Sequence, residues 1–588
     1  MSIFDVLALF GGLALFLFGM NVMGDGLTRA AGGKMERILE KLTSTPIKGV
    51  LLGAAVTAVI QSSSATTVMV VGFVNSGIMK LRQAVGIIMG ANIGTTVTSW
   101  ILSLSGIQGD SIWIQMLKPS SFSPILAVIG IAFLMFFKNE KKHDIGMIFL
   151  GFTILMYGMD AMSGAVAPLA DVPEFANVLL MFSNPILGMI VGTLFTAIIQ
   201  SSSASVGILQ ALCMTGAVTY GTALPIVMGQ NIGTCVTALL SSIGAKKNAK
   251  RAAFVHLYFN LIGTILFMIV FYSINAFVNF GVLQDMATPA GIAVIHSIFN
   301  ILTTIVLLPF GKGLEKLATL TIREKEEPVE EIAELVPLKH LDARFLEQPA
   351  FAVTQSMDVM NQMAGYSAEA LYDSLELLKD YSDGKWQRVE ALEDIVDKYE
   401  DELGTYLAKV SGKELAEEDS KRVSNGLHCI GDLERISDHA LAIAEIYAKM
   451  HKEEMVFSDK AMAELNLYSN AVYEIMSMTC KALNEDDMKI AKRIEPLEEV
   501  INGLNATIKK QHIKRLQKGK CTIELGIALE NLLNNYERVA DHCSNVAASL
   551  LQVKTDSFDT HEYLNRVKQE SNVEFQAMYS MYKEKYSL

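Results

Sequence analysis

The 588-residue sequence lacks several features by which common classes of protein are recognised. Its six cysteines form no Cys-X-X-Cys pair and no spaced metal-binding cluster, which fits a reduced compartment for the C-terminal part. There is no Gly-rich nucleotide loop and no nucleophile–base constellation, so the sequence does not predict an enzyme. The net charge is −13, and there is no basic face of the kind that nucleic-acid-binding proteins carry.

Hydropathy and charge divide the chain near residue 310. Residues 1–310 contain long apolar stretches and have 15 Lys and Arg against 11 Asp and Glu, a net charge of +4. Because the whole chain has a net charge of −13, the remainder has a net charge of −17. The chain runs from Met1 into an apolar stretch without a basic leader, which favours a retained membrane segment over a signal peptide. We predict a membrane domain over 1–310, a charged linker over 311–345 and a soluble helical domain over 346–588.

An internal repeat with an offset of 139 residues organises the membrane domain. Residues 57–65 match 196–204 at eight of nine positions, and both blocks contain Gln-Ser-Ser-Ser. Residues 89–98 match 228–237 at eight of ten positions, and both contain Asn-Ile-Gly-Thr. Because one offset aligns both blocks, we interpret residues of about 1–140 and 141–310 as duplicated halves.

Segment lengths predict seven membrane-crossing helices and two shorter hairpins. A crossing helix needs roughly 20 apolar residues, whereas runs of about 10–14 are more often re-entrant. The runs on either side of each Gln-Ser-Ser-Ser are short, 48–60 with 65–78 and 185–199 with 204–218, and predict re-entrant helical hairpins with the polar cluster at the tip. The long segments lie near 4–23, 83–104, 121–137, 144–163, 221–242, 252–277 and 289–310.

Loop charges predict the orientation. If the N-terminus is outside, nearly all Lys and Arg of the membrane domain fall in loops on one side, and only Lys118 lies in an outer loop. Because basic loops are cytoplasmic, the C-terminal domain is predicted to be cytoplasmic too. The hairpins then enter from opposite sides. The predicted fold is an all-α membrane protein with inverted repeats and two re-entrant hairpins, followed by soluble helical bundles.

The hairpin tips have the chemistry of an oxyanion site. A helix starting at Ser62 or Ser201 would present unpaired backbone N–H groups and a positive dipole end, and two facing tips could surround a tetrahedral anion. Small hydroxyl residues can also serve only packing and interhelical hydrogen bonds, but their recurrence at a helix break in both repeats favours binding. The candidate anion ligands are Ser62, Ser63, Ser64, Ser201, Ser202 and Ser203.

Neutral oxygen atoms near the tips predict sodium sites, since hard cations take such ligands. The apolar segments contain almost no acidic residue, Asp160 being the nearest candidate, which favours sodium over proton coupling. His256 and His296, each followed four residues later by Asn, are predicted to form interhelical hydrogen bonds. The candidate sodium ligands are Gln61, Gln200, Asn92, Asn231, Thr95, Thr234, Thr57 and Thr196.

A second repeat lies in the C-terminal domain, where helix breaks suggest two successive bundles of about three helices. Glu434-Arg-Ile-Ser-Asp438-His recurs 103 residues later as Glu537-Arg-Val-Ala-Asp541-His. Glu and Asp at i,i+4 project from one helix face, so two such helices could bring four carboxylates together for a metal. The alternative is a solvated acidic face whose partners are the arginines of the same motifs.

These motifs resemble two known families. The doubled Gln-Ser-Ser-Ser and Asn-Ile-Gly-Thr blocks resemble the type II sodium/phosphate cotransporters and their bacterial relatives, which implies phosphate and sodium binding at the tips and a homodimer. The C-terminal domain resembles the PhoU family, which implies tandem three-helix bundles, a divalent or trivalent metal at the Glu-X-X-X-Asp pairs and regulation of phosphate uptake.

The sequence therefore predicts a sodium-coupled inorganic phosphate symporter that works by alternating access in the inner membrane of a bacterium. Its cytoplasmic PhoU-like domain could meet a signalling partner. The alternatives are a carrier of another oxyanion such as sulfate, a net phosphate exporter, and a membrane phosphate receptor without transport.

Overall fold

The computed structural model describes residues 3–31, 45–107, 111–137, 139–169, 181–323, 332–555 and 573–588. The chain divides into two compact units, a membrane unit over 1–328 and a C-terminal unit over 329–588. Both are helical, and the described residues include only one isolated β-bridge, between Thr219 and Met286. Residues 324–331, in the middle of the predicted linker, lie outside the described residues.

The described residues of the membrane unit include seven helical stretches long and apolar enough to cross a membrane, the number predicted, and this is a multi-pass membrane protein. Its helices are α1 (Ile3–Ala31), α2 (Pro46–Ile60), α3 (Ser63–Ser76), α4 (Leu81–Ser103), α5 (Ile112–Leu117), α6 (Pro119–Phe136), α7 (Glu140–Val166), α8 (Pro185–Ile199), α9 (Ser202–Cys213), α10 (Tyr220–Gly233), α11 (Cys235–Ser241), α12 (Lys247–Val278), α13 (Pro289–Leu307) and α14 (Gly311–Thr321). Helix α14 continues the last span into the first part of the predicted linker.

Helices α1 and α7, which open the two repeats, pack antiparallel along a line of glycines. At an offset of 139, Gly158 is the counterpart of Gly19, and Leu155 is the counterpart of Phe16. Gly19 lies against Leu155, and Gly158 lies against Phe16. The contact is therefore preserved when the two helices exchange places. The other close pairs are Gly12 with Met162 and Gly26 with Ile148.

Glycines also let the first arm of each hairpin approach the Asn-Ile-Gly-Thr helix of its own repeat, α2 against α4 and α8 against α10. A methyl group added to Gly90 would overlap the carbonyl oxygen of Val50. In the second repeat, a methyl group on Gly229 would overlap the carbonyl oxygen of Met189. The sequence repeat is thus also a repeat of backbone contacts.

The C-terminal unit contains two three-helix bundles, as predicted: α15, α16 and α17 pack together, and so do α18, α20 and α21. Its helices are α15 (Pro349–Glu376), α16 (Asp383–Ser411), α17 (Glu417–Lys452), α18 (Asp459–Glu485), α19 (Met488–Ala491), α20 (Ile494–Gln517), α21 (Ile523–Thr555) and α22 (Val573–Lys585).

The two bundles meet through α17 and α21. His439 Nδ1 donates to Asn535 Oδ1, and His542 Nδ1 donates to Asp432 Oδ1, both at 2.8 Å. The two imidazole rings stack with their centroids 5.6 Å apart. Because the motifs repeat at an offset of 103, this contact is also preserved when the two helices exchange places.

Candidate functional site

Each Gln-Ser-Ser-Ser motif lies at the break between two short helices. Gln61 ends α2 and Gln200 ends α8, both in the left-handed region with φ 59°, a conformation that costs a non-glycine residue about 1–3 kcal/mol. The next serine is extended in both repeats. Its Oγ accepts a hydrogen bond from the backbone N–H three residues later, at 3.1 Å for Ser62 and 3.2 Å for Ser201. One local structure is therefore built twice.

The second arm of each hairpin begins with serines, α3 at Ser63 and α9 at Ser202. Backbone N–H groups in a first helical turn have no acceptor within the helix, and the helix dipole makes this end positive. Among the described residues, the hydroxyls of Ser63, Ser64, Ser202 and Ser203 form no hydrogen bond with the protein. Each tip therefore offers unused hydrogen-bond donors of the kind an oxyanion takes.

A hydrogen bond between buried hydroxyl groups joins the two arms of each hairpin. Thr57 Oγ1 donates to Thr66 Oγ1 at 3.0 Å, and Thr196 Oγ1 donates to Ser205 Oγ at 2.8 Å. Two of these residues were predicted as sodium ligands. Their partners Thr66 and Ser205 were not, although each directly follows a repeated block and has a hydroxyl in both repeats.

The Asn-Ile-Gly-Thr residues direct their donors into their own helices. Asn92 and Asn231 donate from Nδ2 to the carbonyl four residues earlier, at 3.2 and 3.4 Å. Thr95 and Thr234 do so from Oγ1, at 3.1 and 3.0 Å. Because the donors are used in this way, lone pairs on the amide and hydroxyl oxygens remain available, and these are ligands that a hard cation takes. All four side chains are buried.

The second arm of each hairpin packs against the corresponding helix of the other repeat, α3 against α11 and α9 against α4. On α9, the buried Gln210 donates from Nε2 to the carbonyl of Ser99 at 3.1 Å and to that of Pro289 at 2.9 Å. Sequence analysis missed Gln210, because the first repeat has Val71 at the corresponding position. These contacts interlock the two repeats.

The two tips differ in one hydrogen bond. Gln61 is buried, and its Oε1 accepts from Thr98 Oγ1 at 2.9 Å. Gln200 is exposed, and the buried hydroxyl of Thr237, the counterpart of Thr98, has no partner among the described residues. The glutamine of the first tip is therefore hydrogen-bonded to the Asn-Ile-Gly-Thr helix of its own repeat, α4. The glutamine of the second tip has no corresponding bond from Thr237.

This difference predicts unequal effects for two equivalent substitutions. Thr98→Val should lower the melting temperature, because it leaves a buried amide oxygen unsatisfied at a cost of about 1–3 kcal/mol. Thr237→Val removes a hydroxyl without a partner and should leave the melting temperature unchanged or raise it. Thermal unfolding of the two purified variants in one detergent measures this, and equal shifts would contradict the difference between the tips.

The histidine prediction is wrong for His256. Both of its ring nitrogens are buried without a hydrogen-bond partner among the described residues, and so is Nδ1 of His296. Asn260 makes the interhelical contact instead, since its Nδ2 donates to Cys235 Sγ at 3.3 Å and so joins α12 to α11.

In the C-terminal unit, Glu434 and Asp438 lie beside a second Glu-X-X-X-Asp pair, Glu393 and Asp397 on α16. Carboxylate oxygens of Glu393, Asp397 and Asp438 lie within 4.8 Å of one another. Burial, followed by the neighbouring carboxylates, raises the pKa of Glu393 to about 7, and burial together with Asp438 raises the pKa of Glu434. A multivalent cation would relieve this mutual repulsion.

The structure places the two repeated motifs in different bundles, each facing a helix of its own bundle, instead of in one four-carboxylate site. Glu537 accepts a hydrogen bond from Asn505 on α20. Asp541 pairs with Arg538 at 3.3 Å, and the same ion pair forms in the first motif, where Arg435 lies 3.3 Å from Asp438.

The second bundle has fewer carboxylates at its motif. On α20, Glu498 is followed at i+4 by Asn502, which donates to it, whereas α16 has an aspartate at the corresponding step. The two clusters are therefore chemically different, and the first is the better candidate for a metal.

Glu393→Gln is expected to remove stabilisation by metal. The pKa of Glu393 is about 7 in the folded protein, above its ordinary value of 4.5. Between pH 4.5 and about pH 7, this group therefore binds more protons in the folded protein than in the unfolded chain. Through this group, the stability of the metal-free protein rises as the pH falls from about 7 towards 4.5. Bound metal needs the ionised carboxylate, so it should stabilise most above pH 7.

Melting temperatures of the full chain, measured with and without Mn²⁺ or Fe³⁺ at pH 6 and pH 8, check this prediction. Glu390→Gln, an exposed neighbour on α16, is the matched control and should respond to metal as the unmodified protein does. A metal-induced shift that survives in Glu393→Gln would exclude this cluster as the site.

Each of the two units matches a known protein family. The Na+/Pi-cotransporter family matches residues 15–164 and 170–285, and the PhoU domain matches residues 360–447 and 465–550. A crystal structure of PhoU from Pseudomonas aeruginosa aligns over 36% of this chain and all of that chain, with 17% identity and a TM-score of 0.34.

Three curated relatives match different shares of the chain. The putative inorganic phosphate export protein YjbB of Salmonella typhimurium is 25% identical over 95% of this chain and 99% of its own. The uncharacterized protein YqeW of Bacillus subtilis is 31% identical over 53% of this chain and 97% of its own. The sodium-dependent phosphate transport protein 2A of Rattus norvegicus is 39% identical over 16% of this chain and 15% of its own. These matches confirm the resemblance inferred from the doubled motifs: the chain belongs to the Na+/Pi-cotransporter family and carries a PhoU domain after its membrane unit.

Proposed function

We propose that the protein is a sodium-coupled transporter of inorganic phosphate that works by alternating access, with its PhoU domain regulating transport from the cytoplasm. The pair of equivalent helix breaks carries this proposal. At each break a left-handed glutamine is followed by serines whose N–H and O–H groups are free to donate, which is suited to a tetrahedral oxyanion.

The contact between α1 and α7 supports inverted repeats. Two equivalent helices that run antiparallel and keep their contact on exchange are related by a two-fold axis perpendicular to both. For helices that cross a membrane, that axis lies in the membrane plane, as in transporters built from inverted repeats. The hairpin arms α2, α3, α8 and α9 have 15, 14, 15 and 12 residues, too few to cross singly, and this supports re-entrant hairpins.

Sodium coupling is supported by the buried neutral oxygens of the Asn-Ile-Gly-Thr helices and by the sodium-dependent transporter named among the relatives. In this proposal the serines at both tips bind phosphate, while Gln61, Gln200 and the polar helices bind sodium. The basic loops favour an N-terminus on the outer side of the inner membrane and a C-terminal domain on its cytoplasmic side.

For the PhoU domain, we propose that Glu393, Asp397, Glu434 and Asp438 hold a divalent or trivalent metal. Glu434 and Asp438 were predicted from the sequence, and the structure adds Glu393 and Asp397 on α16. The observation that supports it is the close approach of the carboxylate oxygens of Glu393, Asp397 and Asp438, which lie within 4.8 Å of one another.

Net export of phosphate is the second candidate. The relative that spans 95% of this chain is named a putative phosphate exporter, and the same alternating site would serve either direction. The ion gradients across the membrane would then decide the direction of net flux.

Radiolabelled phosphate uptake into proteoliposomes tests the transport proposal. Uptake driven by an inward sodium gradient, absent with potassium and not inhibited by excess sulfate, would support a sodium/phosphate transporter. Inhibition by sulfate would indicate a carrier of several oxyanions. Phosphate binding without uptake or sodium-driven efflux would indicate a receptor and overturn the proposal.

A further inference from the structure

The last helix, α22, forms a groove that the matched PhoU segments lack, because it lies beyond residue 550, where the second of them ends. Helix α22 packs on α20, and its side chains Phe575 and Tyr582 are buried, as is Tyr586 just after it. Arg493 Nη2 donates to Tyr582 Oη at 3.2 Å. The hydroxyl of Tyr586 donates to Glu474 on α18. Helix α22 is therefore a docked part of the second bundle.

Where α22 meets α18 and α20 there is a cavity of about 460 Å³. Its charged lining consists of Lys481, Arg493, Lys585 and Glu474. Lys585 Nζ lies 2.8 Å from Glu474 Oε2, so the single carboxylate is neutralised. Among the described residues, Lys481 and Arg493 have no carboxylate within ion-pair distance. Two cations therefore remain uncompensated in a chain whose part beyond residue 310 carries −17.

The rest of the lining suits a planar ring. Tyr473 is half exposed and stacks on Tyr372 with 4.1 Å between ring centroids, so its ring is held in place. Ser477 and Tyr586 add hydroxyl groups to the wall of the cavity. The volume lies within the range of about 300–1,000 Å³ that is typical of sites for small organic ligands, larger than a single phosphate ion requires.

We infer that this groove binds a nucleoside phosphate. Arg493 and Lys481 hold the phosphate groups, since guanidinium and ammonium groups are the usual partners of phosphate oxygens. The base stacks on Tyr473. Lys585 is paired with Glu474 and so joins α22 to α18 at the edge of the groove. The inference does not depend on transport, because every residue involved belongs to the C-terminal unit.

Equilibrium binding of the four radiolabelled ribonucleoside triphosphates to the purified full-length protein tests the inference. At least one should bind saturably. Its affinity should fall at least tenfold in Lys481→Gln/Arg493→Gln. The control pair Lys514→Gln/Lys518→Gln removes two exposed charges from α20 and the residue after it, and should bind as the unmodified protein does.

The variant Tyr473→Leu distinguishes the contribution of base stacking to binding from the contribution of the phosphate contacts. We expect it to weaken nucleotide binding several-fold, and we expect inorganic phosphate to compete only at much higher concentration. Absence of saturable binding of all four nucleotides, or binding unchanged in Lys481→Gln/Arg493→Gln, would overturn the inference. Equal competition by inorganic phosphate, together with unchanged binding in Tyr473→Leu, would overturn the nucleotide assignment in favour of a plain phosphate site.

Discussion

Replacing both tip glutamines, Gln61→Ala with Gln200→Ala, is expected to lower the proposed sodium-dependent phosphate transport at least about 100-fold. Each glutamine occupies the turn from one hairpin arm to the other, beside the free N–H groups of the second arm. A hydrogen bond or ion contact to a charged group contributes about 1.5–3 kcal/mol, and about 1.4 kcal/mol corresponds to a factor of ten. Losing two such contacts therefore removes two or more factors of ten.

Uptake into proteoliposomes at equal protein density measures this effect. Gln284→Ala changes an exposed glutamine between α12 and α13 and should leave transport unchanged. The single variants should differ in stability, because only Gln61 bonds to Thr98. We expect Gln61→Ala to lower the melting temperature and Gln200→Ala to leave it nearly constant. Transport near the unmodified rate in the double variant would remove the glutamines from the site.

Gly90→Val and Gly229→Val are expected to prevent normal folding of the membrane unit. A Cβ at either position overlaps a carbonyl oxygen of the neighbouring hairpin arm, and backbone cannot move away as a flexible side chain can. Overpacking of a tight interior costs about 1–3 kcal/mol per site and occasionally more. Because each hairpin is positioned by this contact, we also expect transport to fall.

Size-exclusion profiles and melting temperatures after detergent extraction measure the outcome. Gly164→Val is the matched control, because a Cβ at this position of α7 meets no atom within 4 Å. It should give a single symmetric peak and a near-normal melting temperature. If Gly90→Val behaves like Gly164→Val, the close approach of α2 to α4 does not hold.

Much of the membrane unit was predictable, because duplication left near-identical motifs at a fixed offset. The offset predicted two equivalent breaks, and the short runs beside Gln61 and Gln200 correspond to α2, α3, α8 and α9. Helix α9 ends earlier than predicted, at Cys213, because Gly216 adopts a left-handed turn with φ 71°.

The difference between the two tips was not predictable, because Thr98 and Thr237 are identical residues in identical motifs. Only the packing around them decides that one hydroxyl has a partner and the other has none. The partner pair Glu393 and Asp397 was missed for a different reason. Glu and Asp at i,i+4 are common on exposed helices, and only the packing of α16 against α17 distinguishes this pair from the others.

The contact between α1 and α7 has a further consequence. A contact that is unchanged when its two sides are exchanged has the form of an isologous interface, by which two copies of one subunit form a symmetric dimer. The contact between α17 and α21 has the same form. A half-length chain would carry both sides of its own interface and could assemble with a second copy of itself. In both units, these two helices of one chain meet as the equivalent helices of two identical subunits would.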